Sequence, residues 1–155
     1  MPTQRRVARE RVLQALYAYD LSGSDPEFLS AEIFQDIGDE MSLEFARKLY
    51  RDTLDHLGEI DRLIQRHLEH WDVSRVNPVD RNILRMGITE MLFFKEVPTK
   101  VTINEAIEIS KKYSTEESPK FVNGILDAAL KLLTSEKRIV KEGRGLIDQS
   151  ARKKK

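Results

Sequence analysis

The stretch "VNPVDRNILRMGITEMLFF" (76–94) constrains the fold more than any other. Val79, Ile83, Gly87, Met91 and Phe94 descend one side of a helix, with Leu84, Ile88 and Leu92 beside them. A helix apolar over so much of its circumference has to be central, with other helices packed around it. Asn77 as cap and Pro78 at the first helical position fix where it begins.

The rest of the chain supplies those neighbours. In "QRRVARERVLQALYAYD" (4–20), Ala8, Val12, Ala15, Leu16 and Tyr19 form one apolar face, and Arg6, Glu10, Gln14 and Tyr17 form a polar one. "SGSDPEF" is a turn, with a short helix predicted after it to about Ile37. "GDEMS" breaks the chain, with Ser42 as the expected cap of a helix from Leu43 to about Leu57 that carries Phe45 and Leu49. Gly58 interrupts, and "EIDRLIQRHLEHW" is expected to be helical to about Trp71. After Pro98, "TINE" (102–105) has the pattern of a capping box, opening a helix to about Tyr113. "ESPKFVNGILDAALKLL" starts another, with Ser118 as expected cap and Pro119 first. The predicted architecture is all-α, a compact bundle of seven packed antiparallel helices.

A chain of 155 residues fits one domain burying about 68–70% of its unfolded surface. We expect this domain over 1–134 and a basic, flexible tail over 135–155, ending in "ARKKK". The absence of cysteine excludes disulfides, thiolate metal sites and cysteine nucleophiles. No apolar run approaches the roughly 18 residues that span a bilayer, and the first residues lack a signal-peptide core. No membrane association is expected, and the expected location is the cytoplasm.

Charge is segregated although the whole is neutral. Residues 1–11 hold four arginines against one glutamate, and residues 131–155 hold nine Lys/Arg against three Asp/Glu. The stretch between them is acidic, with 13 Lys/Arg against 22 Asp/Glu. Basic ends suit a polyanion, and an acidic body suits a basic protein. Charged ends that only confer solubility are the plainer reading.

Enzyme signatures are weak. His67 and His70 flank Glu69 on one helix with no third ligand on their face, and Glu105 and Glu108 read as helix-surface acids. Neither a dinucleotide nor a P-loop glycine motif is present, nor is a nucleophile elbow. No cofactor or metal is expected, and the chain reads as a binding module.

The strongest binding lead is the front of the first helix. Cations there oppose the helix dipole, yet Arg5, Arg6 and Arg9 occupy it. With the helix N–H groups they can grip a phosphate, and Gln14 and Tyr17 further along can bond to or stack on a base, as single-stranded RNA requires. A solvated helix end with Arg6 paired to Glu10 is the alternative. In "SPKFVNGILD", Gly124 implies close approach of a helix or ligand, since glycine costs roughly 1 kcal/mol in a helix. Phe121 is either core or contact. Asp80, Arg81 and Arg85 are expected on a mainly exposed stripe.

"RRVARERVLQALY", "VDRNILRMGITE", "VPTKVTINEAIEISKKY" and "SPKFVNGILD", in that order, resemble the NusB family of bacterial transcription antitermination proteins. The resemblance runs from Arg5 to about Leu133. It implies a seven-helix fold that binds single-stranded boxA RNA together with NusE, a small-subunit ribosomal protein. The pair joins the RNA polymerase elongation complex with other Nus factors, chiefly at ribosomal RNA operons.

By the same resemblance the arginine-rich motif maps onto Arg5, Arg6 and Arg9, with Val7 where relatives often carry a further arginine. Other RNA-facing positions map onto Gln14, Tyr17, Ser118, Lys120 and Phe121. The NusE-facing region maps onto Val79, Asp80, Arg81 and Arg85. A related domain precedes an RNA cytosine methyltransferase, but this chain has neither the length nor the glycine motif expected of that enzyme. A homodimer that buries the basic end is the alternative from a different class.

Overall fold

The computed structural model describes residues 3–147 and divides the chain into two units, up to His56 and from Leu57 onward. Among the described residues there are seven α-helices and no strand.

The first unit holds α1 (Gln4–Ser22), α2 (Pro26–Ile33) and α3 (Glu40–Asp55), with α1 packed on both others. Ala8, Val12, Ala15 and Leu16 are buried as the apolar face requires. Glu10 departs from the expected polar face and is buried too. Thr3 caps α1, its hydroxyl accepting from the Arg6 N–H at 3.0 Å. Gly23 closes it in the left-handed conformation, φ 66°. A 3₁₀ turn at Phe34–Asp36, not a continued helix, follows α2. The cap of α3 is Asp39, not Ser42: its carboxylate accepts from the Ser42 N–H at 2.9 Å. Those bonds, chiefly from the Ser42 backbone, hold Asp39 below the usual carboxylate pKa.

The second unit holds α4 (Leu57–Gln65), α5 (Pro78–Phe93), α6 (Thr99–Tyr113) and α7 (Ser118–Ser135). Every residue from Asp80 to Met91 is buried, so α5 is the central helix; α4, α6 and α7 pack on it. Asn77 caps it as expected, accepting from the Val79 N–H at 2.9 Å. A Cβ on Gly87 would lie 3.0 Å from both Leu126 methyls, so this glycine sets the closeness of the α5–α7 crossing.

Three further helix boundaries differ from expectation. Leu57 and Gly58 lie in the first turn of α4, which stops at Gln65 and not near Trp71. The side chain of Gln65 explains the stop: its amide donates to the Trp71 carbonyl (3.0 Å) and accepts from the Val73 N–H (2.8 Å). It thus turns the chain into a loop. Helix α6 begins at Thr99, before the "TINE" box. Thr102 is therefore interior, and its hydroxyl donates to buried Glu90 at 3.1 Å.

Gly124 also departs from expectation: a Cβ there would meet nothing within 4 Å. Nor are Asp80, Arg81 and Arg85 an exposed stripe; all three are buried. A helix surrounded on all sides forces its polar residues inward, where each must find partners.

Beyond α7 the chain returns to the C-terminal end of α5. Lys141 is buried, and its ammonium donates to the carbonyls of Glu90 (3.1 Å) and Phe94 (2.7 Å). Both carbonyls also accept from the backbone, Glu90 from the Phe94 N–H at 3.1 Å and Phe94 from the Val97 N–H at 3.2 Å, so Lys141 adds a cation at the negative end of the helix dipole. The Glu142 N–H donates to the Lys95 carbonyl at 2.9 Å. A Cβ on Gly145 would overlap that same carbonyl oxygen. The "ARKKK" end lies outside the described residues.

Candidate nucleic-acid interface

In the first unit the basic cluster is built on an aromatic floor. α3 presents Phe45 beneath α1; the Arg5 guanidinium lies 4.4 Å and that of Arg9 5.0 Å from its ring centroid. Such contacts contribute about 0.5–1 kcal/mol at exposed sites and about 2 when desolvated. That offsets the dipole penalty of roughly 0.3–1 kcal/mol per cation. The first turn of α1 carries no acid, and the Phe45 ring supplies a favourable contact to two of its cations.

The arginines are not equivalent. Arg5 and Arg6 are half-buried, whereas Arg9 is only 3% exposed. Arg11 is committed elsewhere, holding the Asp36 carboxylate with bonds of 2.9, 3.0 and 2.7 Å. The Arg11 guanidinium keeps that carboxyl below its usual pKa. Further along α1, Gln14 is half-buried and Tyr17 is 37% exposed.

In the second unit, Ser118, Lys120 and Phe121 open α7. Ser118 is buried, its hydroxyl bonded to Asp80 (2.9 Å) and Ser114 (2.8 Å). The Ser114 hydroxyl donates to the other Asp80 oxygen at 2.6 Å, so Asp80 ties the start of α5 to the α6–α7 corner. Lys120 is exposed, and Phe121 is half-buried. The Phe121 ring lies against Trp71, centroids 6.4 Å apart and planes tilted by 32°. Both border a cleft of about 450 Å³ whose lining includes Arg75, Asp80, Glu117 and Ser118.

Of the residues the resemblance assigns to a protein partner, Val79 is half-buried and the others are held by the fold. Arg81 donates from one Nη1 to the carbonyls of Val73 (3.3 Å), Ser74 (3.1 Å) and Val76 (3.0 Å). Arg85 grips Asp61 with two bonds of 2.8 and 2.7 Å, and donates to Asn82 at 3.0 Å.

Two residues at these sites escape sequence reasoning. Phe45 has the spacing of a core residue, and only the α1–α3 packing sets it under arginines. Trp71 reads as a helix end; the Gln65 clamp that turns the chain there is a side-chain bond to the loop, and the pairing with Phe121 is a tertiary contact. His67 and His70 do not resemble a site: the Nε2 of His67 is buried with no hydrogen-bond partner among the described residues, and His70 is exposed.

Comparison with known proteins gives a consistent outcome. A family model described as the NusB family matches residues 6–131. A transcription antitermination protein NusB from Salinibacter ruber is 44% identical over 147 residues, covering 94% of this chain and 92% of its own length. Another from Chloroherpeton thalassium is 39% identical over 157 residues, covering 100% of this chain and 74% of its own.

Among solved structures, T. maritima NusB superimposes with a TM-score of 0.79 at 45% identity, covering 84% of this chain and 93% of that one. A crystal structure of antitermination factors NusB and NusE in complex with dsRNA gives 0.78 at 34% identity, covering 85% and 99%. With a matching family model over most of its length and relatives of this identity, the chain belongs to the NusB family.

Proposed function

We propose that this protein is a non-enzymatic RNA-binding adaptor of transcription antitermination. It binds a single-stranded boxA element together with NusE and joins the RNA polymerase elongation complex in the cytoplasm, chiefly at ribosomal RNA operons. The observation that carries the reading is the seating of Arg5 and Arg9 on Phe45 beside Arg6, where α1 also offers its N-terminal N–H groups. Arg5 and Arg6 neutralise phosphates, and Arg9 stiffens the cluster from below. Gln14, Tyr17, Lys120 and Phe121 contact the strand, and Ser118 holds the corner from which Lys120 and Phe121 project.

NusE meets the surface that Val79, Asp80, Arg81 and Arg85 shape, the last three by fixing α5 to its neighbours. The acidic middle of the chain complements a basic ribosomal protein. A solved relative is in complex with NusE and dsRNA. Strandedness is read here from exposed Tyr17, since base stacking on a side chain needs an unpaired base.

The test is a titration of labelled boxA RNA, single-stranded and duplex, with and without NusE and across salt. Binding to the single strand that strengthens with NusE is expected. In an Arg5→Ala, Arg6→Ala double variant the log-affinity against log-salt slope should fall by about 0.7 per lost phosphate contact. An unchanged slope removes the phosphate role; no RNA binding with NusE present removes the function.

A further inference from the structure

Trp71 has no role in the function above, yet its placement is specific. It is the one tryptophan of the chain, 50% exposed, on a loop and not on a helix. An indole left half in water forgoes part of its hydrophobic gain, so a loop that holds it there works against simple burial.

This loop is pinned at both ends. Gln65 fixes the Trp71 carbonyl and the Val73 N–H. Asp72 caps the following 3₁₀ turn, Val73–Arg75, by accepting from the Ser74 N–H at 2.9 Å. Buried Arg81 then gathers the carbonyls of Val73, Ser74 and Val76. The indole is thereby held against Phe121 at 6.4 Å and 32°, two aromatic walls of the 450 Å³ cleft. The pair gives the cleft an aromatic lining on which a third flat group can stack.

The lining identifies the class of that group. Carboxylates of Asp80 and Glu117 border the cleft and would repel a phosphate inside it. The Glu117 carboxylate can accept hydrogen bonds, as can the Thr115 hydroxyl, which also lines the cleft, while Asp80 and Ser118 are bonded to each other. Aromatic walls with hydrogen-bonding groups and an acid at the rim suit a neutral, planar molecule with donors on its edge. Arg75 on the lining and exposed Lys120 beside Phe121 supply cations for a backbone.

We propose that Trp71 and Phe121 form a pocket for one unstacked nucleobase of the bound RNA, with Trp71 as a stacking residue and Gln65 and Arg81 as positioning residues. The inference rests on the RNA-binding reading above and adds to it a residue and a pocket. Open space over Gly124, also on α7, leaves room for the strand to approach that helix.

Because Trp71 is the only tryptophan, its emission reports on the pocket directly. The full chain is titrated with fluorescein-labelled single-stranded boxA RNA, read by anisotropy, and with the same RNA unlabelled, read by tryptophan emission. Quenching that saturates with the anisotropy curve is expected. Trp71→Ala should bind about tenfold more weakly with its salt slope unchanged, because stacking and phosphate contacts separate in salt. Trp71→Phe, which keeps an aromatic face, should restore most of the loss, and thermal melts check that both variants fold.

RNA binding with constant emission and wild-type affinity in Trp71→Ala overturns the pocket and leaves the RNA reading intact. Absence of anisotropy change even with NusE overturns both. Quenching by NusE alone, with none from RNA, overturns the nucleobase and assigns the cleft to a protein contact.

Discussion

The Arg5 guanidinium stands 4.4 Å above the Phe45 ring and shares that ring with Arg9 at 5.0 Å, so one core phenylalanine supports two cations. Phe45→Leu keeps most of the apolar volume but removes the ring. It should destabilise the protein by about 1–2 kcal/mol, from an altered core shape and the lost cation–π contacts. RNA affinity should also fall several-fold, because Arg5 and Arg9 lose their common seat. Urea unfolding and RNA anisotropy check the two effects, and unaltered affinity would reduce Phe45 to a core filler.

The Arg85–Asp61 pair joins α5 to α4 with Arg85 almost wholly buried, at 8% side-chain exposure against 22% for Asp61. Removing one partner of a buried pair costs about 3–5 kcal/mol because the other charge is left without compensation. Arg85→Ala should show that loss in urea unfolding. Arg85→Lys should lose less, since it keeps the charge but cannot grip both carboxylate oxygens. Equal losses in the two variants would deny the geometric part.

Gly87 and Gly124 should respond in opposite directions to alanine. At Gly124 the new methyl meets open space, and helix propensity alone predicts a gain of about 0.5–1 kcal/mol. At Gly87 it presses on Leu126 at 3.0 Å, and overpacking of about 1–3 kcal/mol outweighs the same gain. Melting temperatures decide, and a destabilised Gly124→Ala would contradict the open surface.

Burial, with Arg66 adding a smaller effect, lowers the pKa of His67 below its ordinary 6.5. The unfolded chain therefore takes up this proton first as pH falls. Stability from the neutral folded ring is complete above pH 6.5 and declines as pH drops from there toward the folded pKa. Asp36, Asp39 and Asp72, all shifted below 3.8, lose their contribution only at lower pH, so the windows separate. His67→Leu should flatten the upper window in urea unfolding measured from pH 7 to pH 5, and should gain about 1 kcal/mol by removing an unsatisfied buried nitrogen. A slope unchanged by the substitution would place the titration elsewhere.

Local signals explain which parts of the fold were readable. The Asn77–Pro78 start and the apolar faces of α1 and α5 depend on residues close in sequence, and they appear where expected. The misplaced boundaries at Ser42, Trp71 and Thr102 each involve a competing side chain: Asp39 outcaps Ser42, Gln65 captures the loop, and Thr102 serves Glu90. The expected exposure of Arg81 and Arg85 failed for another reason. Charge alone cannot reveal that a helix is enclosed on every side and supplies internal partners. The basic cluster was legible as charge, but its Phe45 floor and the Trp71 wall are products of helix packing.

Lys141 places a positive charge against the last carbonyls of α5, from a segment that composition alone would discard as a solubilising extension. Trimming the chain at Thr134 to obtain a minimal RNA-binding fragment would therefore take a cation and two hydrogen bonds from the end of the central helix. Such a fragment should melt lower than one ending at Ile147, and Lys141→Met in the full chain should reproduce part of the loss. For anyone attaching a label or fusion partner, the described fold continues past α7 through Lys141 and Gly145, so a junction at Thr134 cuts into it.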